Sequence, residues 1–148
     1  MALKRIHVEV IARYSNLKQV FSGIFDRRFQ GESPKFLFAV IEYKKRPTLD
    51  GCYSLYNIFL NRDSKGRAAN LEVNLPRDMV RTIQTKLSTR VVDPQVYDAA
   101  FIEVLRMIKS NMGQTHALGV EVEKFLADYH LPAMAHGEFS TFPNELPD

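Results

Sequence analysis

Residues 35–62 read KFLFAVIEYKKRPTLDGCYSLYNIFLNR, two runs rich in Phe, Val, Ile, Leu and Tyr parted by Arg46-Pro47-Thr48-Leu49-Asp50-Gly51. The conformation of those two runs decides the fold. Aromatic and β-branched enrichment favours strands, and a Pro followed by an Asp-Gly pair is turn chemistry. Lys35 to Lys45 and Cys52 to Arg62 are therefore predicted as neighbouring strands. A third, Arg67 to Leu75, follows the short loop Asp63-Ser64-Lys65-Gly66, which makes an antiparallel three-strand meander the economical reading.

Upstream, residues 4–12 alternate, with Ile6, Val8 and Val10 on one side and Arg5, His7 and Glu9 on the other. That is the period of a half-buried strand. From Ser15 to Gln30 the period changes: Leu17, Val20, Phe21, Ile24, Phe25 and Phe29 fall at helical spacing, Ser15 can cap the start and Gly31 the end. Downstream, the helical period returns three times. Pro76 to about Leu87 carries Met79, Val80, Ile83 and Leu87 on one face. Asp93-Pro94, an N-cap followed by proline, opens a helix to about Asn111. Thr115 to Tyr129 is expected to bury Leu118, Val122, Phe125, Leu126 and Tyr129. Strands early and helices late predict an α+β domain over residues 1–130, a sheet of the meander plus the N-terminal strand with about four helices on one face. Residues 131–148, with three prolines and little periodicity, are predicted as an extended or mobile tail.

With 148 residues, 45% hydrophobic and 25% charged, the chain has enough material for one self-sufficient core. Cys52 is its single cysteine, so no intrachain disulfide forms and a reducing, intracellular setting is expected. Neither a signal-like run nor an apolar stretch of about 18–20 residues is present, so any meeting with a membrane is expected from its cytoplasmic surface.

Charge is spread unevenly. Residues 1–67 hold 13 Lys/Arg against 6 Asp/Glu, whereas residues 68–148 hold 7 against 11. A basic half attracts the phosphates of nucleic acid or of acidic lipid headgroups. Its clusters are Arg27 and Arg28, then Lys44, Lys45 and Arg46, then Arg62, Lys65 and Arg67. Phe25, Phe29, Tyr43, Tyr53 and Tyr56 lie near them, as on a single-stranded nucleic-acid platform; solvated loop charges beside ordinary core aromatics fit the same pattern. In a meander the last two clusters end opposite edges of the sheet, which calls for a broad ligand.

Material for catalysis is thin. The four histidines, His7, His116, His130 and His136, form no His-Glu-x-x-His motif, one cysteine cannot build a thiolate zinc site, and no glycine lies in a phosphate-loop arrangement. No cofactor or metal is expected. Cys52 beside a strand reads as a small buried hydrophobe more readily than as a nucleophile.

Ser54-Leu55 and Asn57-Ile58-Phe59, Arg81, and Ala99-Ala100-Phe101 at similar spacing resemble the small matrix proteins of bornaviruses, within the nonsegmented negative-strand RNA viruses. The resemblance covers about a third of the chain and its motifs are short and mostly apolar. It implies a small basic α+β protein of the virion that self-associates under a membrane and binds anionic lipid and RNA, with a nucleoprotein or other structural protein as a further partner. It carries over no ligand contact.

The leading expectation is accordingly a noncatalytic, matrix-like structural protein that forms homo-oligomers, its basic surface meeting the acidic surface of the next copy, and that binds anionic membrane or RNA. The alternatives are a cellular or phage single-stranded nucleic-acid-binding module and a small enzyme of unknown reaction. A chain that ignores lipid and RNA alike would instead be an interaction module for another protein.

Overall fold

The computed structural model describes residues 3–61 and 71–131. Among these residues the chain forms seven helices: α1 (Arg5–Ile11), α2 (Ser15–Asp26), α3 (Glu32–Lys45), α4 (Leu49–Phe59), α5 (Arg77–Ser88), α6 (Asp98–Gln114) and α7 (His116–Asp128). No strand occurs among the described residues, so the α+β expectation with its antiparallel sheet is corrected to an all-helical fold. The predicted strand at 4–12 is α1, that at 35–45 is the body of α3, and that at 52–62 falls largely in α4. Of the third predicted strand, residues 71–75 run without regular structure and the remainder lies outside the described residues. The predicted tail beyond Leu131 also lies outside them.

The physical reason lies in how α3 is surrounded. Its buried residues Phe36, Leu37, Val40, Ile41 and Tyr43 recur at i, i+1, i+4, i+5 and i+7, a helical period. The helix packs against α1, α2, α4 and α6, so most of its circumference is apolar and the sequence shows no polar stripe to betray the turn of the helix. Pro34 stands in the first turn, where a missing N–H costs nothing. Glu32 in the first turn and Lys44 and Lys45 in the last complement the helix dipole.

The segment between the two runs carries a helix start rather than a hairpin. Thr48 Oγ1 accepts a hydrogen bond from the Gly51 N–H at 2.9 Å, the geometry of an N-cap, and Asp50 occupies the first turn of α4. At the other end of α4, the Leu71 and Val73 N–H groups donate to the Ile58 and Phe59 carbonyls at 3.0 and 2.9 Å, satisfying acceptors that a helix terminus leaves open.

Helix α1 misled the period-2 reading because it is buried all round. Arg5, His7 and Glu9 are enclosed as fully as Ile6, Val8 and Val10. Part of this polarity is matched locally: Arg5 forms an ion pair with Glu9, Nε to Oε1 3.6 Å, and the Lys4 N–H donates to His7 Nδ1 at 3.2 Å.

Two aromatic clusters fill the core, joined through α3. Phe21 packs on Phe25, Phe38 and Phe125, whereas Phe36 packs edge-on against Phe59 and Tyr97, and Tyr97 against Tyr43. The predicted helices at 15–30, 76–87, 93–111 and 115–129 are present with shifted ends. Asp93 Oδ1 accepts from the Gln95 N–H at 2.9 Å and caps a turn over 94–97, so α6 begins only at Asp98. That turn drives Tyr97 into the core, where its hydroxyl donates to the Cys52 carbonyl at 2.7 Å. Helices α6 and α7 form a hairpin whose close approach depends on Gly119, since a Cβ there would stand 2.9 Å from the Met112 carbonyl oxygen.

Candidate functional site

The predicted helix over 15–30 stops at Asp26 because the chain turns through a left-handed residue. The Gln30 N–H reaches back to the Phe25 carbonyl at 2.9 Å and the Phe29 N–H to that of Asp26 at 3.1 Å. This pair of bonds is a Schellman motif, which needs positive φ at its penultimate residue. Phe29 occupies that position with φ of 58°, although Gly31 stands two residues on. The conformation costs a residue with a side chain roughly 1–2 kcal/mol, and the side chain recovers nothing by burial: it is 93% exposed.

The turn that carries Phe29 is tied down on three sides. Arg27 Nη2 donates to Glu121 Oε2 of α7 at 2.7 Å, and Arg28 Nη2 donates to the other oxygen of the same carboxylate. Arg28 Nη1 also bonds the Ile24 carbonyl at 3.0 Å. The hydrogen bonds of Arg28 and then of Arg27 hold the Glu121 carboxyl below the usual range. Asn111 of α6 donates to the Gln30 side chain at 3.3 Å, and Lys35 of α3 pairs with Asp26 at 3.0 Å. Gly31 makes room for this arrangement, since a Cβ there would fall 1.6 Å from Asp26 Oδ1.

The other predicted cations are placed elsewhere. Lys44 turns inward and donates to Asp98 Oδ1 at 2.5 Å. Burial pushes the Asp98 carboxyl upward, with Lys44 and Arg5 pulling it the other way. Lys45 lies 3.7 Å from Glu42 on its own helix. Arg46 makes no ion pair among the described residues and lines a groove of about 340 Å³ between α3 and α4, with Glu42, Leu55 and Ile58. Arg62, Lys65 and Arg67 lie outside the described residues. Arg27 and Arg28 sit by the start of α3 and Lys44 to Arg46 at its end, and its 14 residues separate them by roughly 20 Å. The two clusters do not share one footprint.

Sequence reasoning missed two features. Phe29 was assigned to the apolar stripe of its helix; the signal against that is the Arg-Arg pair before it, which leaves the helix surface just where the stripe would continue. Arg77, Arg81 and Arg90 were counted into the acidic half, yet α5 and its following turn carry these and Lys86 against one acid, Asp78.

Among the described residues the nucleophilic and acid–base groups named in the sequence do not gather in one site. Burial raises the Cys52 thiol, which keeps it protonated and a poor nucleophile. The neighbouring Tyr97 and Tyr43 phenols are raised, first by burial, and both donate to backbone carbonyls, Tyr43 to that of Asp93 at 2.8 Å. Among the described residues no three His, Cys, Asp or Glu side chains gather as a metal set, and no helix is long and apolar enough to cross a membrane. The residues that carry the matrix-protein resemblance lie on α4, α5 and the start of α6, and the sheet it implied is absent from the described residues. No family model and no curated protein matches the chain.

Proposed function

We propose that this chain is a noncatalytic helical module that docks another protein, with Phe29 as its anchor. The observation that carries this reading is the pairing of near-complete exposure with a fixed backbone. A mobile aromatic would lose freedom on binding. The Phe29 backbone is already held by two capping hydrogen bonds and by the Arg27–Glu121–Arg28 clamp beside it, so only the ring's own rotamers remain to be ordered on association. Aromatic and arginine side chains at the centre of a contact are the usual source of binding energy. A glycine would suit the backbone of this turn better, and its replacement by phenylalanine gains the fold nothing.

The test is quantitative affinity capture with the wild-type chain and Phe29→Ala in parallel. Partners held by the wild type are expected to fall more than tenfold with Phe29→Ala while the circular dichroism and melting curves coincide. An identical set of partners for both proteins defeats the proposal.

A second reading is favoured by the cations left without carboxylates. Among the described residues Arg46, Arg77, Arg81 and Arg90 make no ion pair, and all are exposed. They support the sequence-based expectation of a self-associating, matrix-like protein that binds anionic membrane or RNA. This reading requires binding that weakens steeply with salt; retention on RNA or acidic vesicles that ignores salt would count against it.

A further inference from the structure

Helix α5 lies at the edge of the fold. It is anchored by Ile83 and Leu87 and by the Tyr53 hydroxyl, which donates to the Leu87 carbonyl at 2.7 Å. Flanking that anchored side, a little over a quarter-turn round from it, α5 presents Arg77, Arg81, Gln84 and Ser88, all exposed, at i, i+4, i+7 and i+11, one continuous stripe along about 16 Å of helix. Asp78 borders it, next to Arg77 and three residues before Arg81, and leaves the stripe with net positive charge. At the C-terminal end of the same helix Arg90 takes φ of 59°, and the chain leaves through Val91 and Val92, 70% and 39% exposed.

We infer that α5 and the turn after it form a face that lies on an anionic lipid bilayer, Arg77, Arg81 and Arg90 meeting headgroup phosphates and carboxylates while Val91 and Val92 enter the boundary between headgroups and acyl chains. The inference rests on the second reading above, that cations on this protein engage an anion, and it adds the place and the ligand. Charge complementarity alone would serve nucleic acid equally well. The valines decide between them, because two adjacent exposed aliphatic side chains gain nothing from a phosphate backbone and do gain from the apolar edge of a bilayer. The polar side of α5 is then used as that of an interfacial helix is, with its apolar side kept for the protein core.

The experiment is sedimentation of the full chain with phosphatidylcholine vesicles that contain either no phosphatidylserine or about a third of it, at low and at physiological salt, beside a short single-stranded RNA as the competing anion. Binding is expected only to the acidic vesicles and is expected to fall as salt rises. Each cation near the surface contributes about a fivefold factor, so Arg77→Glu with Arg81→Glu is expected to reduce partition at least 25-fold. Val91→Ser with Val92→Ser, which removes the aliphatic surface without adding charge, is expected to lower vesicle binding and leave RNA retention unchanged. All four positions are exposed, and circular dichroism verifies that the variants fold. Vesicle binding that survives both double variants overturns the placement on α5 but leaves the charge reading standing. RNA bound with vesicles ignored overturns the lipid assignment alone. Neither bound at low salt overturns both this inference and the charge reading.

Discussion

Lys44 and Asp98, 54 residues apart in sequence, meet at 2.5 Å with side chains only 5% and 9% exposed. The pair joins the end of α3 to the start of α6 inside the core. Desolvating two charges consumes most of what their attraction supplies, so such a pair adds little net stability but is costly to break. Lys44→Met alone or Asp98→Leu alone is expected to cost about 3–5 kcal/mol. The combination Lys44→Met/Asp98→Leu is expected to cost less than either. Urea unfolding of the four proteins measures this, and simple additivity would show that the two side chains do not act together.

Phe29 gives the opposite expectation for stability. Replacement by glycine relieves the left-handed strain and removes a side chain that packs on nothing. Phe29→Gly is expected to leave stability unchanged or to raise it by about 1 kcal/mol, read as an upward shift of the denaturation midpoint. A loss of more than that amount would mean the ring supports the fold.

Stability toward acid should depend on Glu121. Its carboxyl is held low in the folded state by Arg28 and Arg27, and that of Asp93 by the Gln95 amide first and Lys86 after it. The unfolded chain therefore binds these protons first. The stabilisation is complete above the usual carboxylate range and is lost as pH falls through that range toward the folded pKa. Asp98, raised by burial, acts in the opposite sense, losing stabilisation as pH rises through the window. Glu121→Gln removes one contribution of the first kind, so its melting temperature between about pH 3 and pH 7 is expected to vary less than that of the wild type. Parallel curves would show that the clamp does not contribute.

Gly119 tests the α6–α7 hairpin. Because the Met112 carbonyl belongs to a helix backbone and cannot swing aside, Gly119→Ala must push the helices apart. It is expected to destabilise by about 1–3 kcal/mol despite alanine's better helix propensity, measured by chemical denaturation. A stabilised variant would show that the gap closes by relaxation.

Four of the seven helices were legible from the sequence because their apolar residues sit on one side with polar residues opposite, as Ile83 and Leu87 do in α5. The other three were not, and each for its own cause. In α3 the surrounding helices require apolar residues nearly all round, and a run of Phe, Val and Ile has no visible period. In α4 the Thr48 cap and the Asp50-Gly51 pair use the same residue types that close a hairpin. In α1 alternation arose from polar side chains that the fold encloses with the rest. The cation clusters were visible as composition, but whether a lysine faces water or a carboxylate depends on a residue such as Asp98 or Glu121 far along the chain. Phe29 was hidden because an apolar residue at helical spacing is ordinarily core.

The enclosure of α1 fixes when its amides meet solvent. Seven residues are too few to hold a helix in water, so α1 has no local opening from which it could recover alone. Its backbone deuterium uptake is therefore expected to require disassembly of α2 and α3 around it, at the free energy of the whole domain. Exposed α5, resting on two buried side chains, should exchange through smaller openings, so the two helices bracket the range of protection across the molecule.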